Sequence, residues 1–142
     1  MYFMQPPTRL NYKVEKELSP EVGDTHLIHL IRLVDSMKFS DFFKNFPILL
    51  IKIERILIDN LSEISTMNKC RILKNYSLAS HNTAYHFNIV GILCRNLLEE
   101  IENFEEGDVI NVLKSYEYFT QDTPFSRQLF DKLNSTVTTL AL

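Results

Sequence analysis

The stretches ILKNYSLA at residues 72–79 and VLKSYEYF at residues 112–119 carry nearly the same phrase twice. Leu73 and Leu113, Lys74 and Lys114, and Tyr76 and Tyr116 each stand 40 residues apart. The same shift places Ile53 on Leu93, Arg55 on Arg95, Leu57 on Leu97, Leu61 on Ile101 and Ile64 on Phe104. A third copy follows, because Ile89, Leu93 and Leu97 land on Leu129, Leu133 and Val137. A shift of 39 brings Leu33, Val34 and Ser36 onto Ile72, Leu73 and Asn75, which adds a degenerate first copy. This spacing predicts an all-α chain, an α-solenoid-like stack of antiparallel helical hairpins with a repeat of about 40 residues. One hairpin cannot bury its apolar stripe alone, and stacking supplies the partner.

Composition agrees with helix. The 142 residues include only 3 Gly and 5 Pro, too few for the many turns of an all-β fold. The length fits one cooperative domain. Residues 1–18, with Pro6 and Pro7, read as an N-terminal arm and residues 19–142 as the helical-repeat domain.

The stripes place the elements. A first helix is expected over 25–38, capped by Asp24 or Thr25, with Leu27, Ile28, Ile31 and Val34 as its apolar side. Ser40 and Asp41 open a short turn before Pro47, and a second helix runs from Ile48 to Ile64. Ser65 and Thr66 cap a shorter helix, Met67 to Leu78, which carries Cys70, Leu73 and Tyr76. After a polar break at Ser80 to Thr83, a long helix runs to Asn103. Asp108 caps a helix over 109–119 with the stripe Val109, Ile110, Leu113 and Tyr116, and Pro124 opens the last, over 124–140.

The formal charge of −3 argues against a stand-alone nucleic-acid module, which usually shows a basic footprint. The most apolar stretch, Phe46 to Ile58, is interrupted by Lys52, Glu54 and Arg55, so no membrane span is expected. The start shows neither a secretory apolar core nor an amphipathic Arg/Ser presequence. Cys70 and Cys94 form no CxxC pair and are expected to be reduced and buried. His26 and His29 lie three residues apart but lack a third ligand at metal-binding spacing, and His81 and His86 flank a helix start. No cofactor, catalytic residue or small-molecule substrate is expected.

Two surfaces remain. Glu99, Glu102, Glu105 and Glu106 lie in the densest acidic run, with Glu100 and Asp108; its carboxylates either form a solvated face or dock a basic protein. Stacking would also align Arg32, Arg71 and Asn111 in one column, Asp35, Lys74 and Lys114 in another, and Ser36, Asn75 and Ser115 beside them. Polar and basic residues in register suit a phosphate backbone or single-stranded bases, although the outward side of any short helix is polar for solubility alone.

The pattern from Phe104 to Tyr116 combines a hydrophobic residue, a turn, Asp108, the pairs Val109-Ile110 and Val112-Leu113, and the small Ser115. It resembles the organellar helical-hairpin repeats of FAST-kinase-like and RAP-associated proteins, including the heptatricopeptide type, over residues 25–140. The resemblance implies a mitochondrial or plastid protein that binds or processes RNA or is built into an organellar ribosome. That implication favours Arg71, Lys74, Asn111 and Lys114 as the RNA- or partner-binding face, and the column reading adds Arg32. The chain departs from the family in being acidic and short and in showing no RAP-like nuclease segment. The expected role is a non-enzymatic subunit of an organellar ribonucleoprotein such as a mitochondrial ribosome, bridging protein subunits and RNA. The alternative is a protein–protein adaptor of a complex without RNA, in mitochondria or otherwise the cytoplasm.

Overall fold

A computed structural model describes residues 26–36, 47–83, 85–119 and 124–141. The expected arm at 1–18, the Asp24 or Thr25 cap and the turn at Ser40-Asp41 lie outside them. The described residues form α1 (Leu27–Ser36), α2 (Pro47–Asp59), α3 (Thr66–Thr83), α4 (Asn88–Leu98), α5 (Glu106–Tyr116) and α6 (Pro124–Ala141), with no strand among them. Two 3-10 turns, Leu61–Glu63 and Ile101–Asn103, precede α3 and α5.

The helices pack in two rows. In one, α1 lies against α3 and α3 against α5; in the other, α2 lies against α4 and α4 against α6; α3 against α4 joins them. Leu50, Ile53, Leu57, Ile72, Leu73, Leu93, Leu97, Leu129 and Leu133 are fully buried within a single cluster. Each such aliphatic side chain contributes about 1.5–3 kcal/mol by leaving water.

Several boundaries differ from the stripe reading, each for a local reason. The second helix stops at Asp59 rather than Ile64, because Asn60 leaves helical geometry (φ −117°) and its side-chain amide donates to Ile56 O at 2.7 Å. Side chains of this kind offer the backbone an alternative to the helix. The third helix does the opposite and runs through the expected break to Thr83. Ser77 Oγ donates to Leu73 O at 2.6 Å and Thr83 Oγ1 to Ala79 O at 2.7 Å, so buried hydroxyls are satisfied inside the helix.

The fourth helix therefore begins at Asn88, not Thr83, and ends at Leu98 before the second 3-10 turn. Its N-cap, Phe87, has no capping side chain. The fifth begins at Glu106, and Asp108 sits inside its first turn, where its carboxylate accepts the Glu105 backbone N–H at 3.0 Å. It ends at Tyr116 rather than 119. Its buried side is Asp108, Val112 and Ser115, while Ile110 and Tyr116 of the expected stripe are exposed. Ser115 is small and donates to Asn111 O at 2.8 Å, so it fits against α3 where a larger polar side chain would not.

Candidate functional site

The outer side of the row α1, α3, α5 follows from what each helix buries. In α3, Cys70, Leu73, Tyr76 and Ser77 turn inward, leaving Met67, Arg71 and His81 exposed. In α1, Leu30, Ile31 and Val34 are inward, with Ile28, Arg32 and Ser36 exposed. In α5, Ile110, Lys114 and Glu117 are exposed.

Arg32, Arg71 and Lys114 stand on that surface as expected. Lys74 and Asn111 are half-buried and meet each other, Lys74 Nζ donating to Asn111 Oδ1 at 3.2 Å. The column of small polar residues divides: Ser36 is exposed, its hydroxyl donating to Leu33 O at 2.6 Å, whereas Asn75 is buried with its amide donating to Asp35 Oδ1 at 3.2 Å, and Ser115 is buried. These groups bond one helix of the row to the next or to its own backbone.

The acidic run divides in the same way. Glu99, Glu102, Glu105 and Glu106 are exposed. Glu100 instead accepts Lys69 Nζ at 2.9 and 3.1 Å and Thr66 Oγ1 at 3.2 Å, tying the end of α4 to the start of α3. Asp108 is buried in its capping role.

Glu54 of α2, which the sequence reading passed over, is buried at the start of α4. Nothing in the local sequence announces it, since its partner lies 35 residues away. Burial raises its pKa against the opposing pull of the Ile89 and Asn88 backbone N–H groups. Cys70 and Cys94 are free and buried, and burial pushes the Cys94 thiol up to about 12 and holds the Cys70 thiol protonated as well. His26 and His29 are exposed with ring centres 6.2 Å apart. Among the described residues no group of three or more His, Cys, Asp or Glu is placed to hold a metal ion. No described helix is long and apolar enough to cross a membrane.

No family model, curated protein or solved structure matches this chain.

One hollow lies between α5 and α6, about 220 Å³, lined by Leu113, Tyr116, Phe130, Arg127, Asp131 and Asn134. Tyr116 packs against Phe130 at 4.3 Å between ring centres, and Phe119 lies 5.5 Å from Phe130. The repeated phrase therefore diverges here: Tyr76 is fully buried, its hydroxyl donating to Leu50 O at 2.8 Å, whereas Tyr116 is exposed.

Proposed function

We propose that this chain is a non-enzymatic scaffold of stacked helical hairpins, with a repeat of about 40 residues, acting as a protein–protein adaptor in a larger assembly. The repeat is supported by the matching starts of the two 3-10 turns at Leu61 and Ile101, and of α3 and α5 at Thr66 and Glu106, each 40 residues apart. It is supported too by the contacts of α1 with α3 and α3 with α5, and of α2 with α4 and α4 with α6, so that alternate helices stack on one another.

The observation that carries the adaptor reading is the fate of the polar columns. Asn75, Ser115, Lys74 and Asn111 serve contacts within and between α1, α3 and α5, which removes most of the base-reading groups that a one-base-per-repeat surface needs. Arg32, Arg71 and Lys114 remain outward, and they favour a second reading as a bridging subunit of an organellar ribonucleoprotein, such as a mitochondrial ribosome, touching RNA phosphates. The acidic residues Glu99, Glu102, Glu105 and Glu106 would face protein in either case.

Affinity capture of the full chain from native lysate, split into nuclease-treated and untreated halves, separates the two. Partners that persist after nuclease are expected. Partners that vanish with nuclease would transfer the assignment to the ribonucleoprotein reading, and capture of none in either half would overturn both.

A further inference from the structure

Each helix of the row α1, α3, α5 exposes one large aliphatic side chain four residues before an exposed cation: Ile28 and Arg32 on α1, Met67 and Arg71 on α3, Ile110 and Lys114 on α5. The three aliphatic residues are 46%, 47% and 44% exposed. A spacing of four puts each pair on one face, one turn apart. The helices carrying them are consecutive neighbours, α1 against α3 and α3 against α5. Arg32, Arg71 and Lys114 make no ion pair or side-chain hydrogen bond among the described residues. The 18 residues of α3 contain no carboxylate; Asp35 of α1 is engaged by Asn75, and Asp108 of α5 is spent on its own helix start. Glu117 and Glu106 lie beyond the pair on α5, toward opposite ends of that helix.

Resting on the adaptor reading above, we propose that this face binds an acidic amphipathic helix of a partner protein, laid across α1, α3 and α5. The geometry selects that class. Packed helices stand about 8–10 Å apart, and a helix rises about 1.5 Å per residue, so carboxylates six or seven residues apart on the partner meet successive cations. An aliphatic stripe beside those carboxylates then covers Ile28, Met67 and Ile110, because a helix is about 10 Å wide and each aliphatic residue stands about 6 Å from its cation. The pair on α5 sits three residues further along its helix than the pairs on α1 and α3, so the partner crosses at a slant. An RNA backbone would engage the cations and leave the three aliphatic side chains in water.

The probe is a labelled helical peptide of about 20 residues with Glu at seven-residue spacing and Leu beside each Glu, titrated onto the full chain by fluorescence anisotropy. Its Gln-for-Glu analogue and a single-stranded RNA of mixed sequence serve as comparisons. Saturable binding of the acidic peptide is expected, weakened by about tenfold or more in the variant R32E/R71E/K114E and restored on that variant by a Lys-for-Glu peptide. The variant I28S/M67S/I110S is expected to lose the acidic peptide while keeping wild-type helicity. Equal binding of the Gln analogue would overturn the proposal. So would binding of the RNA in place of the peptide, or a wild-type dimer that the charge reversal dissociates, which assign the face to RNA or to a second copy. Nuclease-resistant lysate partners that stay on the charge-reversed chain would keep the adaptor reading and remove this face from it.

Discussion

Glu54 on α2 accepts the backbone N–H of Ile89, the second residue of α4, at 3.0 Å, and so caps a helix from outside its own hairpin. An N-terminal N–H group of a helix has no intrahelical partner, and Phe87 offers none. The acceptor is buried, so the contact fixes how α4 docks against α2 as well as where it begins.

The cap leaves a pH signature. Desolvation raises the Glu54 pKa above its ordinary 4.5, outweighing the two backbone donors and the favourable charges of Arg55 and His86; Tyr76 is the other titratable group beside it. The folded state therefore holds the proton more tightly than the unfolded chain. The stability this provides is complete below pH 4.5 and is lost as pH rises through the folded value. Glu54→Gln is expected to keep an acceptor for Ile89 and to gain on wild type as pH rises from about 4 toward 7, read by urea unfolding at each pH. Glu54→Ala is expected to lose about 1–3 kcal/mol by orphaning the buried N–H.

The two tyrosines of the repeated phrase are expected to respond differently to loss of the hydroxyl. Tyr76→Phe removes a buried hydrogen bond to Leu50 O and is expected to cost about 1 kcal/mol. Tyr116→Phe, at an exposed ring, is expected to stay within about 0.5 kcal/mol of wild type. Thermal unfolding of the pair measures the contrast.

How much of this was legible in the sequence depends on the range of the cause. The stripes Ile53, Leu57 and Ile89, Leu93, Leu97 were readable because a 3.6-residue period is a local signal, and all five are buried. The length of α3 was not, because Ser80 to Thr83 look like a break until burial places the Thr83 hydroxyl on Ala79 O of its own helix and gives the Ser80 hydroxyl the Phe87 N–H to accept. The rotation of α5, which exposes Ile110, was hidden because Ser115 is buried only by virtue of the helix it meets. At the candidate site, the register of the repeat named Arg32, Arg71, Lys74, Asn111 and Lys114 together, whereas only Arg32, Arg71 and Lys114 are exposed. The pairing of Lys74 with Asn111 and of Asn75 with Asp35 required knowing which helices touch.

Lys69 and Glu100 provide a third check. Lys69 is almost wholly buried and held by both Glu100 oxygens, with the Glu100 side chain only 24% exposed. Glu100→Ala leaves a buried ammonium without its carboxylate and is expected to destabilise by about 3 kcal/mol. Lys69→Met is expected to cost clearly less, since Glu100 keeps Thr66 and some water. Chemical denaturation of the two single variants decides the ordering.

Both cysteines are expected to be inert in the folded chain. Their thiols are buried and remain protonated at neutral pH, Cys94 with a pKa pushed up to about 12, and the thiolate is the reactive form. A thiol-reactive chromophore added to the native protein should label neither residue until denaturant is present.

Protein is expected to cover the outer side of α1, α3 and α5, and lysine footprinting reads that cover. Native assembly, treated with nuclease, and the purified full chain are acylated in parallel and read by mass spectrometry. Lys114 is predicted to be protected in the assembly and reactive in the purified chain. Lys114 equally reactive in the two samples, or protected only until nuclease is added, would mean that no protein covers this face.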